Sequence, residues 1–418
     1  MKFKITSKEP VWLVLEPYTY IHFNNRSEVI IYNELNNAKI ISYNIIVIEY
    51  LKLLNEEINL RVILINKKDL TDIQLINFLQ EALDYFMIDI VPISYSKKKP
   101  IQIPDKLNLQ GIKRKKRDDI IIKDVLFNLT EIFFLFGVVD LSENEYAVRY
   151  TSQIPYYYNK GCDIHFNFFE LKNFISSIKE SSVFKIHIIG HDFIQDSKYE
   201  QSLEYFLRRN YLIEFYINAN FLDEKLCNII SKLAIDSKIK FNLIIDIDTN
   251  NKKFCSTIIN HASLFNYKFM VTNEGDLCKY NALIEYLHFE NYDFVPVFTG
   301  KNKSFFEKHV YLNYDDLLDI SPSILELKKN EFLNSNYFGK IFLTHNKLFS
   351  TSINTEKWVK FNILKIIPII ENEFTHNRNW FLIRDKAPCS ECVFQWFCPS
   401  PSNYELAIGK PNLCHIKP

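Results

Sequence analysis

The first hundred residues alternate between short strand-like runs and runs with helical spacing. Between residues 11 and 41, apolar and polar positions alternate in stretches such as VWLVLEPYTYIHF, which predicts a three-stranded antiparallel meander. Apolar residues then recur with helical period from Ile45, and a strand-like RVILI precedes a second helical stretch with Thr71 or Asp72 as its N-cap. Residues 1–96 are therefore predicted to form a small α+β domain.

From residue 120 the pattern changes to strand-like and helix-like segments in turn. Six apolar, β-branched runs are separated by amphipathic stretches whose apolar positions keep helical spacing. The six predicted strands cover 124–130, 185–190, 212–218, 239–247, 267–273 and 292–298. Such repeats predict an α/β fold over residues 119–325, whose parallel sheet is either doubly wound or curled into a partial (β/α)6 barrel. In both folds, ligands bind at the C-terminal strand ends.

Two further segments flank these repeats. Residues 97–118 contain two prolines and two basic runs with little periodicity, which predicts a solvated linker. Residues 326–418 begin with a hairpin-like stretch, NYFGKIFLTHNKLFSTSI, and continue with the helix-like WVKFNILKII. They end in a cysteine-rich segment.

Charge and composition narrow the class of protein. The 418 residues contain 50 Lys+Arg and 50 Asp+Glu, so the chain lacks the positive excess that duplex DNA binding requires, and no nucleic-acid partner is expected. Hydrophobic residues make up 47% and aromatic residues 15%, which indicates a folded chain. Only eight glycines are present, and neither GxGxxG nor GxxxxGK[ST] occurs, which argues against nucleotide binding through such loops.

The sequence also predicts a cytoplasmic location. Its start, MKFKITSKEPVW, lacks the apolar core of a secretory signal. The longest apolar run, 132–139, is far shorter than the roughly 20 residues that span a bilayer, so no membrane span is expected. In the cytoplasm, clustered thiols are typical of metal ligands rather than of disulfides.

The cysteines provide the strongest chemical signal. Four of the eight lie in the last 30 residues, where an even spread would place fewer than one, and their spacing is C-x2-C-x5-C-x15-C. They are Cys389, Cys392, Cys398 and Cys414. Four thiolates hold either zinc or an iron-sulfur cluster, and unmetallated thiols are a third possibility. Iron-sulfur is favoured because zinc ribbons usually pair two CxxC turns, whereas the second pair here is unequal and widely spaced.

The other histidines, cysteines and carboxylates offer weaker signals. No HExxH motif occurs, so the histidines, among them His187 and His191, are predicted to be ordinary core or surface residues. Cys162, Cys227, Cys255 and Cys278 lie far apart and are predicted to be buried structural residues. Asp246 and Asp248 alternate at a strand end, where they either face a pocket or mark the strand terminus.

The C-terminal cysteine pattern resembles part of the SPASM domain of radical S-adenosylmethionine (radical SAM) enzymes that mature peptides. The resemblance implies that Cys389, Cys392, Cys398 and Cys414 hold one auxiliary 4Fe-4S cluster. A cysteine that the family uses for its other auxiliary cluster is missing, with Ser402 following in its place, and the family's paired cysteines are absent around Gly339. The resemblance therefore implies one cluster kept and one lost.

The six predicted repeats resemble the radical SAM partial barrel, but its catalytic motif is missing. Family members have CxxxCxxC after the first strand, and aligning NLTEIFFLFGVVD on Thr130 places Phe133, Gly137 and Asp140 at the cysteine positions. No CxxxCxxC occurs anywhere in the chain, and the family's GGEP motif is degraded to GHDF at residues 190–193. S-adenosylmethionine binding and autonomous radical SAM activity are therefore not expected.

Taken with these features, the chain resembles the pseudo-radical-SAM proteins of the GG-Bacteroidales peptide-maturation type. The N-terminal α+β unit is similar in outline to the winged-helix element that recognises leader peptides. An extended leader would add a strand to the edge of the meander, although a simple cap packed on the barrel is an equal alternative. The resemblance implies a non-catalytic accessory protein that binds a precursor peptide, a radical SAM maturase, or both.

Two other functions stay open from the sequence. The strand ends could support a non-radical peptide-modifying reaction, with His191, Asp192, Asp246 and Asp248 as candidate residues. Alternatively, the C-terminal cysteines could bind zinc in a binding module unrelated to peptide maturation.

Overall fold

The computed structural model describes most of the chain, in twelve stretches. They are 9–24, 27–100, 126–136, 153–154, 168–179, 181–246, 249, 251–344, 348–353, 359–360, 366–377 and 379–416. The predicted linker lies outside the described residues from 101 onward, as do Gly137, Asp140, Cys162 and Asp248. Across the described stretches, no helix has the length and apolar character needed to cross a bilayer.

The N-terminal region contains six strands and two helices. They are β1 (Val11–Leu15), β2 (Thr19–Phe23), β3 (Val29–Asn33), β4 (Lys39–Ser42), α1 (Ile45–Asn55), β5 (Val62–Ile65), α2 (Ile73–Asp84) and β6 (Ile88–Pro92). The strands form two antiparallel sheets, β5-β1-β6 and β2-β3-β4. The meander predicted over residues 11–41 is therefore wrong in part: β2-β3-β4 is an antiparallel meander, but β1, which lies in that range, pairs with strands that come later in the chain. Asp72 caps α2 as predicted, because its side chain accepts a hydrogen bond from Leu75 N at 2.8 Å.

The central region contains the six predicted parallel strands. Its elements are β7 (Glu131–Leu135), α3 (Phe168–Ser177), β8 (Lys185–Ile189), α4 (Asp192–Gln195), α5 (Tyr199–Arg208), β9 (Leu212–Asn218), α6 (Glu224–Leu233), β10 (Ile239–Ile245), α7 (Asn251–Ile258), β11 (Phe265–Val271), α8 (Glu274–Leu287) and β12 (Tyr292–Pro296). Each strand pairs in parallel with the next along the chain. The first strand was wrongly placed at 124–130 and begins instead at Glu131.

The two faces of this sheet are covered differently. Alternate strand residues such as Phe134, Ile188 and Phe215 pack with residues of α3, α5, α6, α7 and α8 in one large core. The opposite residues, such as Phe133 and Tyr216, form a smaller cluster that contains no residue of these helices. Strands in sequential order with right-handed crossovers place their helices on one face, which explains this asymmetry.

The C-terminal region completes the large sheet. Its elements are α9 (Lys303–Val310), α10 (Tyr314–Asp319), α11 (Ile324–Phe332), β13 (Lys340–Thr344), β14 (Leu348–Ser350), β15 (Val359–Lys360), α12 (Ile366–Asn372) and α13 (Asn403–Ile408). The predicted hairpin is β13-β14, and β13 also pairs in parallel with β7. The result is a nine-stranded, mostly parallel sheet in a mixed α/β fold. The stretch predicted as a helix covers 358–367, and its described residues lie in two elements: Val359 and Lys360 form strand β15, whereas Ile366 and Ile367 belong to helix α12.

Candidate metal centre

Four cysteines of the C-terminal segment line one small cavity. Cys389, Cys392, Cys398 and Cys414 all contribute to its wall, and its volume is ≈ 20 Å³. The rest of the wall is formed by Leu317, Arg384, Pro388, Gln395, Asn412 and Ile416. The structure thus brings together the four side chains that the sequence spacing singles out, while their role as metal ligands stays a prediction.

Short local elements hold the first and last of these cysteines. A single 3-10 turn, Cys389–Glu391, places Cys389 and Cys392 on one tight loop, where Cys392 N donates to Cys389 O at 3.1 Å. An isolated parallel bridge joins Cys414 to Leu312 and brings the end of the chain to the same cavity. Backbone pairing therefore brings Cys414 to the cavity, although 15 residues separate it from Cys398 in the sequence.

Burial raises the pKa of three of the thiols. Removal from water raises the pKa of Cys392 to about 11 and that of Cys398 to about 12, and it also raises the pKa of Cys389. The guanidinium of Arg384 acts in the opposite direction on the pKa of Cys389 and Cys398. Because metal ligands must be thiolates, these groups need a nearby positive charge to deprotonate at neutral pH.

The donor set fits a four-thiolate centre in kind and in number. Four sulfurs suit either zinc or an iron-sulfur cluster. Asn412 Nδ2 donates to Cys414 Sγ at 3.0 Å, and Arg384 Nη1 lies 3.8 Å from Cys389 Sγ. As the side chains stand, no three His, Cys, Asp or Glu residues within the described stretches are arranged to hold a metal ion. The four cysteines thus supply the donor atoms of a metal centre, but their side chains do not stand in a coordination geometry.

The cysteine segment packs against the β2-β3-β4 meander. Tyr20 and Tyr32 of the meander meet Phe397 edge to face, with ring centroids 6.2 and 5.2 Å apart. Cys392 and Cys398 pack against the same aromatic cluster. The thiol cavity and the N-terminal region therefore share one core.

Side chains of the described residues pack on the face of the large sheet opposite α3, α5, α6, α7 and α8. Phe133 stacks on His187 with ring centroids 4.0 Å apart. Ile154 packs in the same cluster and is 2% exposed. The neighbouring Gln153 exchanges two hydrogen bonds of 2.8 Å with the backbone of Phe298, just beyond β12. Phe133 is therefore a core residue.

Charged residues surround His187 on this face. His187 Nε2 lies 2.8 Å from Glu131 Oε2, and its Nδ1 lies 3.5 Å from Glu214 Oε2. Lys185 Nζ lies 3.1 Å from Glu214 Oε1. Burial alone would raise the pKa of both glutamates, but the contacts with His187 and the nearby lysines lower it below the usual value. His187 is thus a buried residue that stabilises two carboxylates, in line with the predicted core role.

The residues considered for a different active site follow β8 and β10. His191 and Asp192 follow β8 after Gly190 and are buried, with His191 Nε2 3.6 Å from Asp192 Oδ1. The His191 ring stacks on Phe221 at 4.3 Å, and burial lowers the pKa of His191. Asp246 is buried after β10, whereas Asp248 lies outside the described residues. His191, Asp192 and Asp246 are therefore buried at the C-terminal ends of the strands, where a ligand site is predicted.

Two of the scattered cysteines test the prediction of buried structural residues. Cys227 lies in α6, is fully buried and packs in the main core, which confirms the prediction for that residue. Cys278 lies in α8 and is exposed, so the prediction was wrong there. Free cysteine is more often buried than exposed, but wide spacing in the sequence does not show on which face of an amphipathic helix a single cysteine lies.

Three polar residues beside the thiols have no motif that would reveal them in the sequence. Arg384 and Asn412 line the cavity, and Glu405 pairs with Arg384 at 2.5 Å. Each is a single residue in a loop or short helix. The only available signal is their position within the cysteine-rich segment.

Comparisons with known proteins identify no family. No protein-family model matches the chain, and no curated protein matches it. Among solved structures, Streptococcus suis SuiB bound to precursor peptide SuiA is similar at 10% identity and a TM-score of 0.45, covering 97% of this chain and 100% of that one. SuiB bound to S-adenosylmethionine gives 11% identity, a TM-score of 0.42 and coverages of 97% and 100%. A further crystal structure of SuiB is similar at 10% identity and a TM-score of 0.43, covering 96% of this chain and 100% of that one. At these TM-scores, function has to be argued from this chain's own residues.

Proposed function

We propose that this chain is a non-catalytic partner in the maturation of a ribosomally synthesised peptide. In this proposal, Cys389, Cys392, Cys398 and Cys414 hold one 4Fe-4S cluster, with zinc as the alternative metal. The N-terminal meander binds the precursor peptide, a radical SAM maturase, or both. The supporting observation is that the four thiols line one cavity. When bound, a centre with four protein thiolates would stabilise the segment or relay electrons.

The proposal assigns no S-adenosylmethionine cleavage to this chain. The family needs CxxxCxxC so that three thiolates leave one iron open, and this motif is absent from the 418 residues. At the aligned position, Phe133 packs on His187 within the sheet core. Ile154 occupies the same face, close to the strand end where a substrate would enter. These side chains favour a scaffold over an enzyme.

The free side of β4 is the proposed peptide-binding edge. Among the described strands, β3 is the one neighbour of β4. Asn33 N donates to Ala38 O at 3.0 Å, and bonded and non-bonded pairs alternate along an antiparallel ladder. The N–H and C=O groups of Lys39 and Ile41 therefore point away from β3. An extended peptide could pair with them by β-augmentation.

The surroundings of this edge favour a peptide with apolar and basic side chains. Helix α10 lies beside β4, because Lys39 Nζ donates to Leu318 O at 2.5 Å. This helix has the acidic sequence YDDLLD and an exposed ring at Tyr314, while Tyr43 beyond β4 is 68% exposed. Aromatic surface would pack apolar peptide side chains, and the carboxylates would attract lysine or arginine.

Metal analysis tests the first half of the proposal. Protein purified without oxygen should be brown and contain about four irons per chain, as a 4Fe-4S cluster requires. Cys392→Ser should lose the iron, whereas Cys278→Ser, a cysteine on the exposed side of α8, should keep it. Colourless protein with stoichiometric zinc would reject the iron-sulfur assignment and leave the scaffold role open. Protein that binds neither metal would reject the centre.

A pair of variants at one position tests the peptide-binding edge. Ile41→Pro removes an outward N–H and blocks strand addition, whereas Ile41→Ala removes the side chain but keeps the N–H. Binding of the precursor peptide, followed by fluorescence anisotropy, should weaken about tenfold or more in the proline variant relative to the alanine variant. Equal binding by both variants would exclude this edge. The peptide to use is a short Gly-Gly-type precursor, expected to be encoded beside this chain together with a CxxxCxxC protein.

A further inference from the structure

A buried arginine lies between the thiol cavity and helix α13. The Arg384 side chain is 10% exposed and lines the cavity with the four cysteines. Its Nε donates to Pro399 O at 2.6 Å, and its Nη2 pairs with Glu405 Oε1 at 2.5 Å. The remaining nitrogen, Nη1, faces the cavity at 3.8 Å from Cys389 Sγ. Two strong contacts thus fix the guanidinium, and its third corner faces the thiols.

Glu405 is itself fixed, so the arginine cannot easily turn away. The other carboxylate oxygen, Oε2, accepts from Ser402 N at 2.6 Å and from Ser402 Oγ at 2.5 Å, which closes the capping box of α13. The Glu405 side chain is 4% exposed. Glu405 is not part of the cavity wall, so at the thiols the attraction of the nearer guanidinium exceeds the repulsion of the carboxylate.

The guanidinium of Arg384 carries a permanent positive charge. Its Nη1 lies 3.8 Å from Cys389 Sγ, and the side chain forms part of the wall of the cavity that the four cysteines line. A positive charge at this position stabilises thiolates in the cavity by Coulomb attraction.

We propose that Arg384 is the charge-balancing residue of the metal centre and determines how tightly the metal is retained. The inference rests on the proposed function, in which the four cysteines are the ligands. Four thiolates around zinc or an oxidised iron-sulfur cluster leave a net negative charge, which is costly in a buried site without a counter-charge. Arg384 supplies that counter-charge, and its hydrogen bonds hold it in position. The cysteines alone bind the metal.

Cobalt titration of the reduced, metal-free chain provides a test that needs no catalytic activity. Thiolate coordination of Co²⁺ gives strong absorption, and competition with a chelator gives the affinity. We expect Arg384→Gln to keep the absorption but to bind Co²⁺ about 10- to 100-fold more weakly, the usual effect of losing a residue just outside the ligands. Arg384→Lys should recover part of the affinity, because it retains the charge but not the fork of donors.

The control is a second arginine in a similar ion pair on the surface. Arg208 pairs with Glu204 at 2.5 Å, but these side chains are 75% and 62% exposed, so Arg208→Gln should leave the Co²⁺ affinity unchanged. Unchanged affinity in Arg384→Gln would overturn the role of Arg384 alone. Equal losses in the glutamine and lysine variants would show that the positive charge is not what matters and would also overturn it. Wild-type protein that neither binds Co²⁺ through thiolates nor takes up an iron-sulfur cluster on anaerobic reconstitution would overturn the metal centre itself.

Discussion

Replacing Gly339 by alanine is expected to separate β13 from β7. Gly339 directly precedes β13, with a φ of +77°, and its carbonyl accepts from Thr130 N at 2.7 Å and Glu131 N at 3.1 Å. A Cβ added there would lie 2.5 Å from Asn128 O and 2.6 Å from Thr130 Oγ1. Because Asn128 O belongs to the backbone, it cannot rotate away, and the two segments must move apart.

The expected cost has two parts, and Gly409 separates them. A left-handed φ costs a residue with a Cβ about 1–2 kcal/mol. Relieving an overpacked contact costs about 1–3 kcal/mol more, which gives a total of about 2–5 kcal/mol for Gly339→Ala. Gly409 has a φ of +72° and nothing within 4 Å of an added Cβ, so Gly409→Ala should show only the first part.

Two measurements on both variants check this reasoning. Urea unfolding should give a larger loss of stability for Gly339→Ala than for Gly409→Ala. Hydrogen exchange in β13 should become at least about fivefold faster in Gly339→Ala, the equivalent of about 1 kcal/mol of local opening, and should not change in Gly409→Ala. Equal losses of stability, or unchanged exchange in β13, would refute the proposed clash.

Two further predictions concern buried and exposed side chains. The carboxylates of Glu131 and Glu214 have a lowered pKa, so their contribution to stability is present above their usual value of 4.5 and is lost as pH falls through the lower folded value. His187→Phe should therefore destabilise the protein by about 2 kcal/mol at pH 7, the usual size of a hydrogen bond to a charged group, and this difference from wild type should shrink on acidification. Urea unfolding across pH tests this, and a difference that stays constant with pH would contradict the pairing. Iodoacetamide should label Cys278 in the native state and leave Cys227 unlabelled, because Cys278 is exposed and Cys227 is buried with its pKa raised to about 11. Mass spectrometry of the labelled peptides checks this, and labelling of Cys227 would contradict its burial.

The parallel strands could be predicted because their apolar runs are continuous and bounded by polar segments. The first strand shows the limit of that signal. DVLFNLT and the following EIFFL are both apolar and β-prone, yet Leu126 and Phe127 form a helical turn and Glu131 begins the strand. The second run pairs with both β8 and β13, and this tertiary pairing cannot be recognised from a local window.

Long-range pairing also limits what the sequence reveals about the site. The spacing of four cysteines identified residues that do line one cavity. It could not show that Arg384 and Glu405 lie beside them, because an isolated ion pair has no local pattern. Nor could alternation show that β1 leaves the meander to pair between β5 and β6, since each strand of the region has similar composition.

The packing of the meander on the cysteine segment has a consequence for how the chain is made. Asn24 Nδ2 donates to Glu391 O at 2.9 Å, and these residues are 367 positions apart. At the usual rate of synthesis, the meander leaves the ribosome about 20–70 s before the residues that cover it. For most of that interval the aromatic face with Tyr20 and Tyr32 lacks its native cover, because its buried partners from later in the chain begin only at Leu317. We therefore expect the newly made N-terminal region to be prone to aggregation until the residues that cover it have been made.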